Sequence, residues 1–177
     1  MKSRFPAAAT LVSGLLLGGC YDFEAPIDPA PTIPLDPALL ATWLCLAPGQ
    51  GADEKPMTLA FAAADREDVY AIAAGQDGKA PDRYEAHGSE VVGRTVLNVF
   101  DPTAAGRPWN LVRYSFLTAR VLRLEVVDDS PLADVEPTSW ALREALERRD
   151  GTVGLYDDFC VCVRVKAEEA AKPVAAE

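Results

Sequence analysis

Phe159-Cys160-Val161-Cys162-Val163-Arg164-Val165 is the stretch that decides the fold. Side-chain character alternates at every second position, the period of a strand with two distinct faces rather than of a helix. The same alternation recurs upstream. Met57, Leu59 and Phe61 are interleaved with Thr58 and Ala60, and Leu122, Leu124 and Val126 with Arg123 and Glu125. Residues 39–47, 68–74, 83–87, 94–100 and 109–117 have the same strand character. Between them stand breakers: Asp65-Arg66-Glu67, Gln76-Asp77-Gly78, Asp101-Pro102 and Gly106-Arg107-Pro108. Eight strands in a row with short links predict a mainly β domain, an antiparallel up-and-down barrel.

One segment departs from this period. Residues 138–149 place Thr138 or Ser139 as an N-cap after Pro137, gather Leu142, Ala145 and Leu146 on one face, and end before Gly151. Glu144 and Arg148 form an i,i+4 pair. The apolar stripe is narrow, so this single helix before the last strand is expected to cover a mouth or flank of the closed sheet.

The two ends read differently. Lys2 and Arg4 precede an apolar run that ends in Leu17-Gly18-Gly19-Cys20, too short to span a bilayer as a mature helix. This segment resembles a bacterial lipoprotein signal peptide with its lipobox. The resemblance implies cleavage before Cys20, acylation of its thiol, and a membrane anchor holding the mature chain. Tyr21 rather than aspartate follows the cysteine, which by the same resemblance points to the outer membrane of a double-membraned cell envelope. Residues 20–37, with Pro26, Pro29, Pro31, Pro34 and Pro37, read as the anchor and an extended polyproline tether. The barrel domain is expected over 38–166, and the alanine- and charge-rich residues 167–177 as a frayed tail.

Charge narrows the partners. The formal charge of −10 becomes −12 once residues 1–19, carrying Lys2 and Arg4 and no acid, are removed. Such a surface is a poor match for nucleic acid or anionic head groups.

Trp43, in Ala41-Thr42-Trp43, stands in the first strand ahead of an up-and-down set of strands, a late helix and a final strand. In this order the chain resembles the lipocalin, or calycin, architecture over about residues 38–166. The motif of that family is Gly-x-Trp, and alanine stands here in the glycine position. The resemblance implies a structural role for Trp43 at the barrel floor, and the nearest relatives it points to are small lipocalin-like lipoproteins.

Cysteines add a constraint. Besides Cys20, the chain has Cys45 in the first strand and Cys160 and Cys162 in the last. Residues two apart face the same way, so either can meet Cys45 if the first and last strands pair. One disulfide is expected for an exported protein, its pairing open, and the third thiol is left over. Zinc sites want four ligands, and His87 would have to come from a distant strand, so no metal or cofactor is assigned.

Catalytic motifs are absent: there is no Gly-x-Ser-x-Gly elbow, His-Glu-x-x-His, phosphate loop or dinucleotide fingerprint. His87 is the only histidine and the only neutral-pH base, with Glu85 and Ser89 near it in sequence. Spacing along one strand does not build a triad from them. The acidic groups Asp65–Asp68, Asp128-Asp129 and Asp157-Asp158 lack a calcium-loop pattern and read as solvated turns. Trp109, Arg113 and Tyr114 are ligand-binding candidates, because Arg113 shares a strand face with Trp109 and Leu111 and needs a partner such as Glu125 or an anionic ligand.

The expected function is that of a non-catalytic binding or structural module, anchored through Cys20 and docking on another envelope component. The alternative is a carrier of a small apolar or amphipathic molecule inside the barrel, and a hydrolase using His87 is a distant third. Leu59, Phe61, Leu97, Val99, Leu122 and Leu124 favour a filled interior, whereas the alanines at 60, 62, 63, 64, 71, 73 and 74 favour an open one.

Overall fold

The computed structural model describes residues 22–51, 54–76, 79–106 and 108–165. Cys20 and the signal segment, Tyr21, Asp77, Gly78, Arg107 and the expected tail lie outside the described residues. Eight strands run in chain order: β1 (Thr42–Leu46), β2 (Met57–Ala63), β3 (Val69–Gly75), β4 (Asp82–Val91), β5 (Arg94–Phe100), β6 (Trp109–Thr118), β7 (Val121–Val127) and β8 (Tyr156–Arg164). Each pairs antiparallel with its neighbour, and β1 pairs with β8, so the sheet closes into a barrel. Closure removes sheet edges. This architecture is the expected mainly β up-and-down barrel and is compatible with a lipocalin-like fold. Among the described residues, no helix is long and apolar enough to cross a membrane.

Alternation sorts the side chains between the inside and the outside. Leu59, Phe61, Leu97, Val99, Leu122 and Leu124 all lie in the inner core. Of the seven alanines that argued for an open interior, only Ala74 belongs to that core. Ala60, Ala62, Ala71 and Ala73 stand on the outer positions of β2 and β3, and Ala63 is exposed at the end of β2, so their small size opens no cavity. In β8 the buried residues are Cys160 and Cys162, while Val161 and Val163 are exposed and pair with Leu46 and Leu44 of β1. A bulge lies where Leu124 pairs with Cys160 and Glu125 with Asp158, leaving Phe159 without a ladder partner and packed on the inner core.

Thr138 caps the helix α1 (Ser139–Arg149), accepting a bond from the Ala141 N–H at 3.2 Å. Leu142, Ala145 and Leu146 bury against Val91, Val96, Leu111 and Val127, so the helix lies on a flank of the barrel. Ion pairs of Glu144 with Arg148 and of Asp134 with Arg149 decorate its outer side.

The largest departure from expectation concerns the proline-rich segment. Residues 22–40 do not stand off as a tether but run as a strap, outside the barrel over 22–32 and across one end of it over 33–40. Phe23 and Trp109 exchange backbone bonds of 2.8 and 2.9 Å, and the Ile27 N–H donates to Asn98 Oδ1 at 2.7 Å. Ile33 presses on Gly88, where an added Cβ would come within 2.7 Å of it. At the far end the Asp36 N–H donates to the Tyr70 hydroxyl, and the Tyr114 hydroxyl donates to the Asp36 carboxylate. Leu35, Leu39 and Leu40 then pack on the inner core, and Trp43 Nε1 donates to the Leu39 carbonyl at 3.1 Å. Prolines spare the strap unpaired N–H donors while Ile27 and Leu39 supply the buried apolar surface.

Candidate functional site

The interior of the barrel leaves little room for a ligand. Beneath the end opposite Trp43, a void of about 40 Å³ is bounded by apolar side chains including Met57, Phe61, Tyr84, Leu97, Leu124 and Phe159. Ligand cavities usually measure about 300–1,000 Å³, so this one is far too small.

Larger concavity lies outside. A groove of about 640 Å³ runs between the start of the strap and the loop joining β7 to α1. One wall is Asp22, Phe23, Glu24 and Ala25, fixed by the bridge from Phe23 to Trp109. The other is built by a short 3₁₀ turn, Ser130–Leu132, and the residues after it. Asp128 accepts a bond from the Ser130 N–H at 2.8 Å, and the N–H groups of Leu132 and Val135 donate back to Asp129 and Leu132. Pro137 then ends the turn and leads into the helix cap. The floor is apolar, formed by Leu132, Val135 and Leu142, whereas Asp22, Glu24, Asp129 and Glu136 supply four carboxylates. Among the described residues, no basic side chain lines the groove.

His87, Ser89 and Asn98 form a buried polar cluster under the strap. Asn98 Nδ2 donates to the His87 carbonyl at 3.2 Å and to Ser89 Oγ at 2.8 Å, while its Oδ1 holds Ile27. His87 Nε2 donates to the Asp28 carbonyl at 2.8 Å, and Trp109 packs edge-on to the imidazole. Burial holds the imidazole below its ordinary pKa, outweighing the hydrogen bond to Asp28. Asp28 bonds Arg143 at 2.5 Å. Burial works against its carboxylate, yet the bonds from Arg143, Ser89 and Thr32 hold its pKa below the ordinary value. Glu85 pairs with Arg66. The three residues nearest a hydrolytic arrangement in sequence are thus engaged with the strap, Asn98 and Arg66.

The ligand-binding candidates do not converge. Trp109 packs tilted against Phe100 and edge-on to His87 outside the barrel, and Tyr114 points inward to Phe116 and Asp36. Arg113 makes two bonds of 2.9 Å to Glu125, its partner across the β6–β7 ladder, and lies 3.5 Å over the Tyr156 ring. Its charge is met by Glu125, as its place among apolar neighbours requires.

Cys45 and Cys162, directly opposite across β1 and β8, form a disulfide separated by 117 residues in sequence. This resolves the open pairing. Among the described residues Cys160 is the free thiol, buried, its pKa pushed up to about 12 by burial. Asn98 and the groove carry no motif and were not foreseen. The only hint of the strap was apolar Ile27, Ile33, Leu35 and Leu39 among its prolines.

Fold and site together define a closed, side-chain-filled β-barrel with an external acidic and apolar groove. No family model, curated protein or solved structure matches the chain.

Proposed function

We propose that the protein is a lipid-anchored, non-catalytic docking module of the cell envelope, acylated at Cys20 and held at the outer membrane, whose external groove receives a cationic and apolar segment of another envelope protein. The groove is the observation that carries the reading: an apolar floor edged by four carboxylates and no base matches a segment bearing lysine or arginine beside large apolar residues. Asp22 lies two residues from Cys20, a reach of at most about 7 Å, so an anchor there would set the groove against the membrane surface. The filled interior speaks against the carrier reading. The bonds that occupy His87 speak against the hydrolase reading.

Two experiments test this. For the anchor, membrane association of the full chain should be lost in Cys20→Ala, and an unchanged membrane fraction rejects it. For the groove, a short peptide alternating lysine with leucine and its glutamate counterpart are titrated against the full chain. The lysine peptide should bind more weakly as salt rises, and at least about tenfold more weakly after Asp129→Lys with Glu136→Lys, a loss of about 1.4 kcal/mol. Equal binding of the glutamate peptide, or indifference to the two reversals, rejects the groove.

A further inference from the structure

We propose that Cys45, Cys160 and Cys162, once a dithiol reductant has opened their disulfide, form a three-sulfur site for a trivalent thiophilic oxyacid of the arsenite type. Their sulfurs all lie within 4.8 Å of one another, with Cys160 Sγ 3.5 Å from Cys162 Sγ. Bonds to sulfur of about 2.3 Å, the length seen for zinc thiolates, put the three sulfurs of a pyramidal trivalent centre about 3.5 Å apart, within that spread. The ladder between β1 and β8 sets Cys45 directly opposite Cys162, with Cys160 two residues away on the same face.

The surroundings choose the ion. Met57, Leu122 and Leu124 are the cross-strand neighbours of Cys45, Cys162 and Cys160, and all three are apolar. Three thiolates around a divalent ion leave one negative charge buried without a partner, which such an interior penalises. Around a trivalent centre they leave none. Zinc would also need a fourth ligand, and His87 is held on the outer face by Asp28. A surface hollow of about 420 Å³ lies on the outer face of β8 beside Cys160, between Leu46, Pro48, Leu117 and the Arg123–Asp158 pair, while the sulfurs themselves face the interior.

The chemistry balances in two steps. The dithiol gives two electrons and two protons to the Cys45–Cys162 bond, yielding two thiols and its own disulfide. Each of three thiols then passes its proton to a hydroxyl of the oxyacid. Three arsenic–oxygen bonds break, three arsenic–sulfur bonds form and three waters leave, with arsenic unchanged in oxidation state.

The test uses the full chain, oxidised or reduced with a phosphine that is then removed, titrated without oxygen with sodium arsenite. Native mass spectrometry counts arsenic and lost protons, and X-ray absorption counts sulfur neighbours. The oxidised chain should take up none, the reduced chain one arsenic with three sulfurs. Cys160→Ser should bind at least tenfold more weakly, Cys20 being common to both chains. Two sulfur neighbours, no arsenic on the reduced chain, or equal binding by Cys160→Ser overturns the proposal. The sulfur count on the unmodified chain decides it even if the variant folds poorly.

Discussion

His87 shows how one buried side chain sets a pH dependence. Its imidazole is neutral and donates from Nε2, and burial lowers its pKa in the fold. The unfolded chain takes up the proton near the ordinary value of about 6.5. Between the folded and unfolded values the unfolded state therefore binds more protons, so stability is complete above about pH 6.5 and falls as the pH drops below it. Urea unfolding at pH 7.5 and 5.5 should show a loss steeper than that of His87→Gln, by up to about 1.4 kcal/mol per pH unit. Asp28 adds a separate loss at lower pH. Its carboxylate is held below the ordinary value of 3.8, so its contribution is present above that value and disappears as pH falls through its folded pKa. Equal slopes for the two chains would mean that His87 protonates freely beneath the strap. A second residue-scale effect is covalent. Closing a loop of 117 residues restricts the unfolded chain, and Cys45→Ser should cost about 5 kcal/mol in urea unfolding, most of it lost when both chains are reduced.

At the scale of elements, the turn between β4 and β5 is where local preference and fold conflict. Val92 and Gly93 form a two-residue link, and both have positive φ, 50° and 69°. Glycine accepts that region, whereas a β-branched side chain is strained there. Val92 is exposed and brings little compensating packing. Val92→Asn should therefore raise stability by about 1 kcal/mol, visible as a higher Tm with the denaturant m value unchanged. This conflict also shows how far the sequence could be read. Strands and helix were legible because period and caps are local: the helix expected over 138–149 is Ser139–Arg149 with its Thr138 cap. The strap was not, because its composition is that of a tether and its partners are distant, as Ile27 and Asn98 are, 71 residues apart. The inner face of β8 was equally hidden. Alternation defines two faces without choosing between them, and here the register with Cys45 turns the cysteines inward and the valines out. As for the groove, it is made of two short irregular pieces, within residues 22–25 and 129–137, that have neither period nor motif, together with Leu142 of the helix.

On the scale of the whole molecule, the strap, the helix and the packed interior have one joint consequence. Open concavity is left to the outer surface, because the strap packs its last residues over one end of the barrel and side chains fill the rest. A filled barrel can be emptied on purpose, and that tests the argument. Phe61 is buried in the inner core, borders the small void and meets Tyr70 edge-on at 6.2 Å. Removing its ring should cost about 3–5 kcal/mol and leave an apolar cavity continuous with that void. Dry apolar cavities of about 150 Å³ are known to take up benzene or xenon. Phe61→Ala should therefore bind benzene, gaining thermal stability as the concentration rises, while the unmodified chain shows no such shift. The milder Phe61→Leu should fall between the two. If the unmodified chain is stabilised by benzene as much as Phe61→Ala is, its interior opens more readily than its packing implies. The carrier reading would then regain the ground that the groove now holds.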